Sequence, residues 1–160
     1  LVDNDALFDA LETGVVKRYI TDFGTEDLLN KPNVTVFPHV GGSTGEAELN
    51  CAIMAGQTIR RFMETGEIVN SVNFPRVQQA LSAPYRITLI NKNVPNIVAR
   101  ISTAVSDFNI NIDNIINRSK GDYAYTLLDL DETDKSKIDE LVAKFEASDN
   151  IVRVRLIKGK

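Results

Sequence analysis

His39 is the one histidine in 160 residues, and it sits in Pro38-His39-Val40-Gly41-Gly42-Ser43-Thr44, between a rigid proline and two flexible glycines. Imidazole is the side chain whose ordinary pKa lies near neutrality, so such a residue can both give and take a proton. A carboxylate against the ring would orient it and favour its protonated form, as reversible proton transfer requires. Glu26 and Asp27 lie across a single strand upstream, where a turn could fold one of them back onto the ring. Residue type and position leave a second reading open, a surface histidine whose neighbouring carboxylates only solvate a turn.

Other chemistries fare less well. Gly41-Gly42-Ser43-Thr44-Gly45 lacks the lysine and spacing of a phosphate loop, and no G-x-G-x-x-G joins a strand to a helix. Ser43 has no G-x-S-x-G setting. With one histidine and one cysteine, Cys51, only carboxylates remain as further ligands, so no metal is expected. The lone cysteine also forbids an intramolecular disulfide; on the apolar side of a predicted helix it reads as a buried, inert thiol.

A net charge of −4 and a pI near 5.0 argue against nucleic acid as a partner, and Lys17-Arg18 and Arg60-Arg61 read as solvated faces. No run of 18 apolar residues and no signal-peptide pattern is present, so neither a membrane span nor export is expected, and the cytoplasm is the default. With 43 % apolar and 25 % charged residues, the composition is that of ordinary globular protein.

A second candidate lies further on, where Asn91-Lys92-Asn93-Val94-Pro95-Asn96 joins a strand to a helix. Asparagines there can cap the helix or accept a positive φ. They can equally hold the amino and carboxylate groups of a small ligand at a helix N-terminus.

The elements that must position these residues fall into two halves. In the first, Asn4 or Asp5 caps a helix through Leu11 with Gly14 as its stop; Val15–Phe23 and Val34–Phe37 read as strands, and Thr25–Asn30 as a turn. Ser43 or Thr44 then caps a long helix whose stripe of Ala47, Cys51, Met54, Ala55, Ile59, Phe62 and Met63 ends before Gly66. Residues 70–84, with two prolines, read as a linker.

The second half has a regular grammar. Tyr85–Ile90, Ile110–Arg118, Tyr123–Leu130 and Ile151–Ile157 read as strands, and Asn96–Phe108 and Thr133–Ala147 as amphipathic helices. The order β-α-β-β-α-β over residues 85–157 is that of a ferredoxin-like sandwich, whose two helices cover one sheet face and leave the other partly bare. The fold class expected is therefore α/β followed by α+β.

Four motifs in register resemble the C-terminal part of the D-3-phosphoglycerate dehydrogenases, within the D-2-hydroxyacid dehydrogenase family. Leu1-Val2-Asp3-Asn4-Asp5-Ala6-Leu7 resembles the stretch after the family's A-R-G, and Thr21-Asp22-Phe23-Gly24-Thr25-Glu26 its D-V-F-x-x-E. Pro38 to Thr44 is similar to P-H-[IL]-G-[AG]-S-T, and Val72-Asn73-Phe74-Pro75 to V-N-F-P. Residues 85–157 resemble an ACT regulatory domain.

The resemblance implies that residues 1–69 are a remnant of the Rossmann-like NAD-binding and substrate region, in a fragment inactive by itself. It makes His39 the proton donor and acceptor for a substrate hydroxyl, and Glu26 the carboxylate that supports it. Asp22, His39 and Gly41 would lie near NAD, held mainly by residues absent from this chain; the family's nicotinamide-contacting Asp aligns with Thr21, so Asp22 serves only after a shift of one residue. The implied reaction oxidises 3-phosphoglycerate to 3-phosphohydroxypyruvate in L-serine biosynthesis. Asn91, Asn93 and Asn111 would bind L-serine or another amino acid between paired ACT domains of a homo-oligomer. A stand-alone ligand-binding or dimerising ACT module is the alternative.

Overall fold

The computed structural model describes residues 2–159, which fall into two compact units divided between Ile53 and Met54. The sequence-predicted boundary at residues 69 and 70 thus moves towards the N-terminus, into the long helix.

In the first unit, α1 (Asn4–Glu12) begins at Asp3, whose carboxylate accepts from the Ala6 N–H at 3.1 Å, one residue before the predicted caps. Gly14 follows at φ +75°, the left-handed geometry that stops a helix. The strands are shorter than their apolar runs: β1 (Tyr19–Thr21) and β2 (Val34–Val36) pair in parallel, with Tyr19 opposite Val34. These two strands are the whole of the sheet among the described residues of this unit. Leu7, on α1, and Leu28 are the buried apolar residues of this unit, while Ile20, Phe23 and Phe37 are exposed.

Helix α2 (Gly45–Thr65) spans the division between the units. Thr44 caps it by accepting from the Ala47 N–H at 3.1 Å, and Gly66, at φ +72°, ends it as predicted. Its apolar stripe is not covered: no residue of α2 is buried, and Met54, Ile59 and Met63 are all more than half exposed. Cys51 is exposed as well, which overturns the expectation of a buried thiol.

The second unit has the expected ferredoxin-like architecture. β3 (Tyr85–Lys92), α3 (Ile97–Ser106), β4 (Asn111–Lys120), β5 (Tyr123–Asp131), α4 (Lys135–Glu146) and β6 (Ile151–Lys158) follow in order. The antiparallel sheet runs β4-β5-β3-β6. Strand alternation sends Ile87, Leu89, Leu128 and Leu130 to one face, where Ile101 and Val105 of α3 and Ile138, Leu141 and Phe145 of α4 complete the main core.

The opposite face is not left bare. Ile68 and Val77 pair through two backbone hydrogen bonds and pack on Tyr125 and Leu127, with Phe74, Ile90 and Ile116 around them. What reads as a linker is therefore the cover of the sheet's second face.

That cover is fastened by Arg86, which is fully buried on β3. Its guanidinium grips Asp129 of β5 in bidentate fashion, Nε to Oδ1 at 2.5 Å and Nη2 to Oδ2 at 2.7 Å. The remaining donors go to the carbonyls of Thr65, Gln79 and Ala80 at 2.8, 2.8 and 3.1 Å. All five N–H groups of the arginine are thus used.

Tyr125 donates to the Gly66 carbonyl at 2.7 Å, and Arg155 of β6 donates to the carbonyls of Phe62, at 2.9 Å, and Met63. Cations at these last carbonyls suit the negative end of a helix. No helix among the described residues is long and apolar enough to cross a membrane.

Candidate functional site

The loop after β2 carries His39 back beside the end of β1, and the parallel register explains how. Phe37 donates its N–H to the Thr21 carbonyl at 3.1 Å, so the chain leaving β2 runs alongside residues 21 to 23. The Thr21 hydroxyl accepts from the Phe23 N–H at 3.0 Å, a local turn that aims the next side chain, Asp22, across the gap. Asp22 Oδ2 then lies 2.7 Å from His39 Nδ1. The Phe23 ring stands against the imidazole, with centroids 4.5 Å apart and planes tilted by 48°.

The imidazole is therefore held on one side by a carboxylate and on another by an aromatic ring, while its side chain stays 58 % exposed. A ring that donates its Nδ1–H to a carboxylate presents Nε2 as the free acceptor when neutral. Nε2 can take a proton from a hydroxyl, and the carboxylate then stabilises the imidazolium that results.

The carboxylate is not the one predicted. Glu26 begins a short 3-10 turn, Glu26–Leu28, and makes no ion pair with His39; the partner is Asp22. The turn built on Thr21 sets this choice. Thr21 itself is committed to the Phe23 backbone, while the next residue, Asp22, faces His39.

A Cβ placed on Gly41 or on Gly42 would meet nothing within 4 Å, so no close approach within the chain requires either glycine.

The asparagines are differently placed. Asn91 is fully buried; its amide donates to the Lys92 carbonyl at 3.0 Å and its carbonyl accepts from the Thr126 hydroxyl at 2.9 Å. Asn117 completes this polar layer, donating to Thr126 at 2.7 Å. Asn91 is thus closed to a ligand, because its amide serves the sheet. Asn93 is exposed, with its side chain tied to the Gly121 carbonyl at 3.0 Å.

Asn111 stands at the other end of the sheet, opposite Asp131, whereas Asn91 lies opposite Ala124. That span of β5 is about 23 Å at the usual rise per strand residue. One copy of the chain therefore does not bring the three asparagines together. Asn96 takes a left-handed conformation, φ +64°, just before α3, the turn role open to it in the sequence.

The second unit defines the class: a ferredoxin-like α+β fold, here preceded by a unit that displays a carboxylate-supported histidine. No protein-family model matches the chain. Curated relatives do: D-3-phosphoglycerate dehydrogenase 2 of Saccharomyces cerevisiae is 31 % identical over 139 residues, a match covering 83 % of this chain and 29 % of that protein. The D-3-phosphoglycerate dehydrogenase of Escherichia coli K12 is 26 % identical over 168 residues, covering 98 % of this chain and 41 % of the relative.

The resemblance read from the motifs holds: the chain is similar along most of its length to D-3-phosphoglycerate dehydrogenases. It spans less than half the length of these relatives. Among solved structures, the ACT domain of GTP pyrophosphokinase from Chlorobium tepidum aligns with a TM-score of 0.42 at 18 % identity, over 46 % of this chain and 95 % of that one.

Proposed function

We propose that this chain carries the acid–base group and the regulatory domain of an oxidoreductase of the D-3-phosphoglycerate dehydrogenase kind. The observation that supports this most directly is the contact of His39 Nδ1 with Asp22 at 2.7 Å, in a chain 98 % of which aligns with the Escherichia coli enzyme. In the proposed reaction, Nε2 of His39 takes the proton of the C2 hydroxyl of 3-phosphoglycerate as the hydride leaves C2, and returns it in the reverse direction. Asp22 keeps the ring in the required tautomer and balances the charge that forms. The hydride acceptor implied by the resemblance is NAD.

The test is NADH formation from 3-phosphoglycerate by the enzyme that contains this sequence, measured for the unsubstituted protein and for His39→Ala. The loss expected is about 100 to 10,000-fold in kcat, the usual range for removal of a general acid–base group. An unchanged kcat in His39→Ala would remove the assignment.

For the ACT-like unit the proposed role is binding of a small amino acid, L-serine by the resemblance, between two copies of the chain. The separation of Asn93 and Asn111 within one copy favours this arrangement, since only a partner could set one beside the other. Calorimetry with L-serine on the whole chain, and on Asn93→Ala and Asn111→Ala, tests it. Heat that is lost in both variants supports the reading; binding that survives in both, or no heat at millimolar serine, refutes it.

A further inference from the structure

A cleft beside the C-terminal half of α2 gathers three arginines. Arg60 and Arg61, adjacent on the helix, and Arg76, on the segment that covers the sheet, line a cavity of about 500 Å3 together with Thr58 and Asn70. Each guanidinium is held through Nε: Arg60 on Glu64 at 3.1 Å, Arg61 on Glu67 at 3.3 Å and Arg76 on Gln78 at 2.6 Å. Their terminal Nη nitrogens donate no hydrogen bond among the described residues.

The charges around this cleft do not cancel. Glu64 and Glu67 offset two of the three cations, but the partner of Arg76 is a neutral amide, so one positive charge is left over in a protein whose net charge is −4. Two of the walls are fixed. Glu67 is almost buried and accepts from the Gln79 N–H at 2.7 Å, which sets Arg61; Asn70 donates to the Thr58 hydroxyl at 3.0 Å. The Arg60–Glu64 pair is an exposed i,i+4 contact, which costs little to open.

Planar guanidinium forks with free ends suit the oxygens of phosphate and carboxylate groups, which they bind in bidentate fashion. We infer that this cleft is a binding site for a small anion carrying two or more negative charges, a phosphate ester or a polycarboxylate. It uses neither the proton-transfer residues nor the asparagines.

The test follows thermal unfolding of the 160-residue chain in inorganic phosphate, citrate or chloride at matched ionic strength. Saturable stabilisation beyond that of chloride is expected, and the more effective of phosphate and citrate identifies the ligand chemistry. Arg60→Gln and Arg76→Gln should each weaken the apparent affinity about tenfold, the scale of one charge-assisted hydrogen bond. Arg118→Gln, on β4 away from the cleft, should not change it.

Amide chemical shifts supply a second readout on the unsubstituted protein, with perturbations expected at residues 57–61 and 69–76. A midpoint that follows ionic strength alone, shifts centred elsewhere, or stabilisation that survives in the Arg60→Gln/Arg76→Gln double variant would overturn the assignment.

Discussion

Replacing Asp129 by alanine puts the heaviest demand on the second unit, because Arg86 would keep its charge with no counter-charge inside the protein. The two side chains are 0 % and 1 % exposed, so the guanidinium left behind is a charge inside the protein. Removing one member of such a pair costs about 3 to 5 kcal/mol, mostly the penalty of the stranded ion. Since domains of this size are stable by about 5 to 15 kcal/mol, that is a large share of the total.

The assay is native-state amide exchange, because it assigns the loss to particular strands of the second unit. In Asp129→Ala the slowest amides of β3 and β5 should exchange at least about a hundredfold faster, from 1.4 kcal/mol per tenfold. The Ile68 and Val77 amides should lose protection first, since the carbonyls of Gln79 and Ala80 are held by the same guanidinium.

The double variant Arg86→Met/Asp129→Leu should cost less than the sum of the single changes, because it strands no charge, though the Thr65, Gln79 and Ala80 carbonyls still lose their donor. A loss below about 1 kcal/mol in Asp129→Ala, or strict additivity in the double variant, would show that the pair is not the fastening described.

Three further outcomes are expected. In the active enzyme, Asp22→Asn should lower kcat and alter its pH profile while Glu26→Gln leaves both close to the parent; the reverse would return the supporting role to Glu26. Gly66→Ala should destabilise the second unit by about 2 kcal/mol or more, read by urea unfolding, since a left-handed backbone disfavours a side chain and a Cβ there would come within 2.5 Å of the Thr88 methyl. Burial pushes the Tyr125 phenol above its ordinary value of 10.0, against the opposing pull of Thr88, Arg155 and Arg86. Its protonated form therefore contributes stability below pH 10 that is lost as the pH rises through the folded value. Unfolding should become easier above about pH 10, and less steeply so in Tyr125→Phe.

The parts of this fold that were legible in the sequence are those written in a local code. From Tyr85 onward each strand and helix buries a periodic set of apolar residues, and the topology follows from their order. Residues 66–80 carry no such period. Their order comes from Arg86, on a strand whose sequence pattern gives no hint that this charged residue points into the protein.

The His39 loop was legible through its Pro, Gly and Thr44 cap. Its carboxylate was not, because the choice between Asp22 and Glu26 depends on a single hydroxyl–amide contact at Thr21 that residue spacing does not encode. The α2 stripe shows the limit of periodicity, which predicts an apolar face but not what covers it.

The exposure of Cys51 on α2 has a practical side. It is the single thiol of the chain, it is open to reagents in the folded state, and it sits in a helix whose own side chains are all accessible. A maleimide dye or spin label would therefore attach at one place, without unfolding and without a competing site. Storage without a reductant would, by the same token, tie two molecules together at that position.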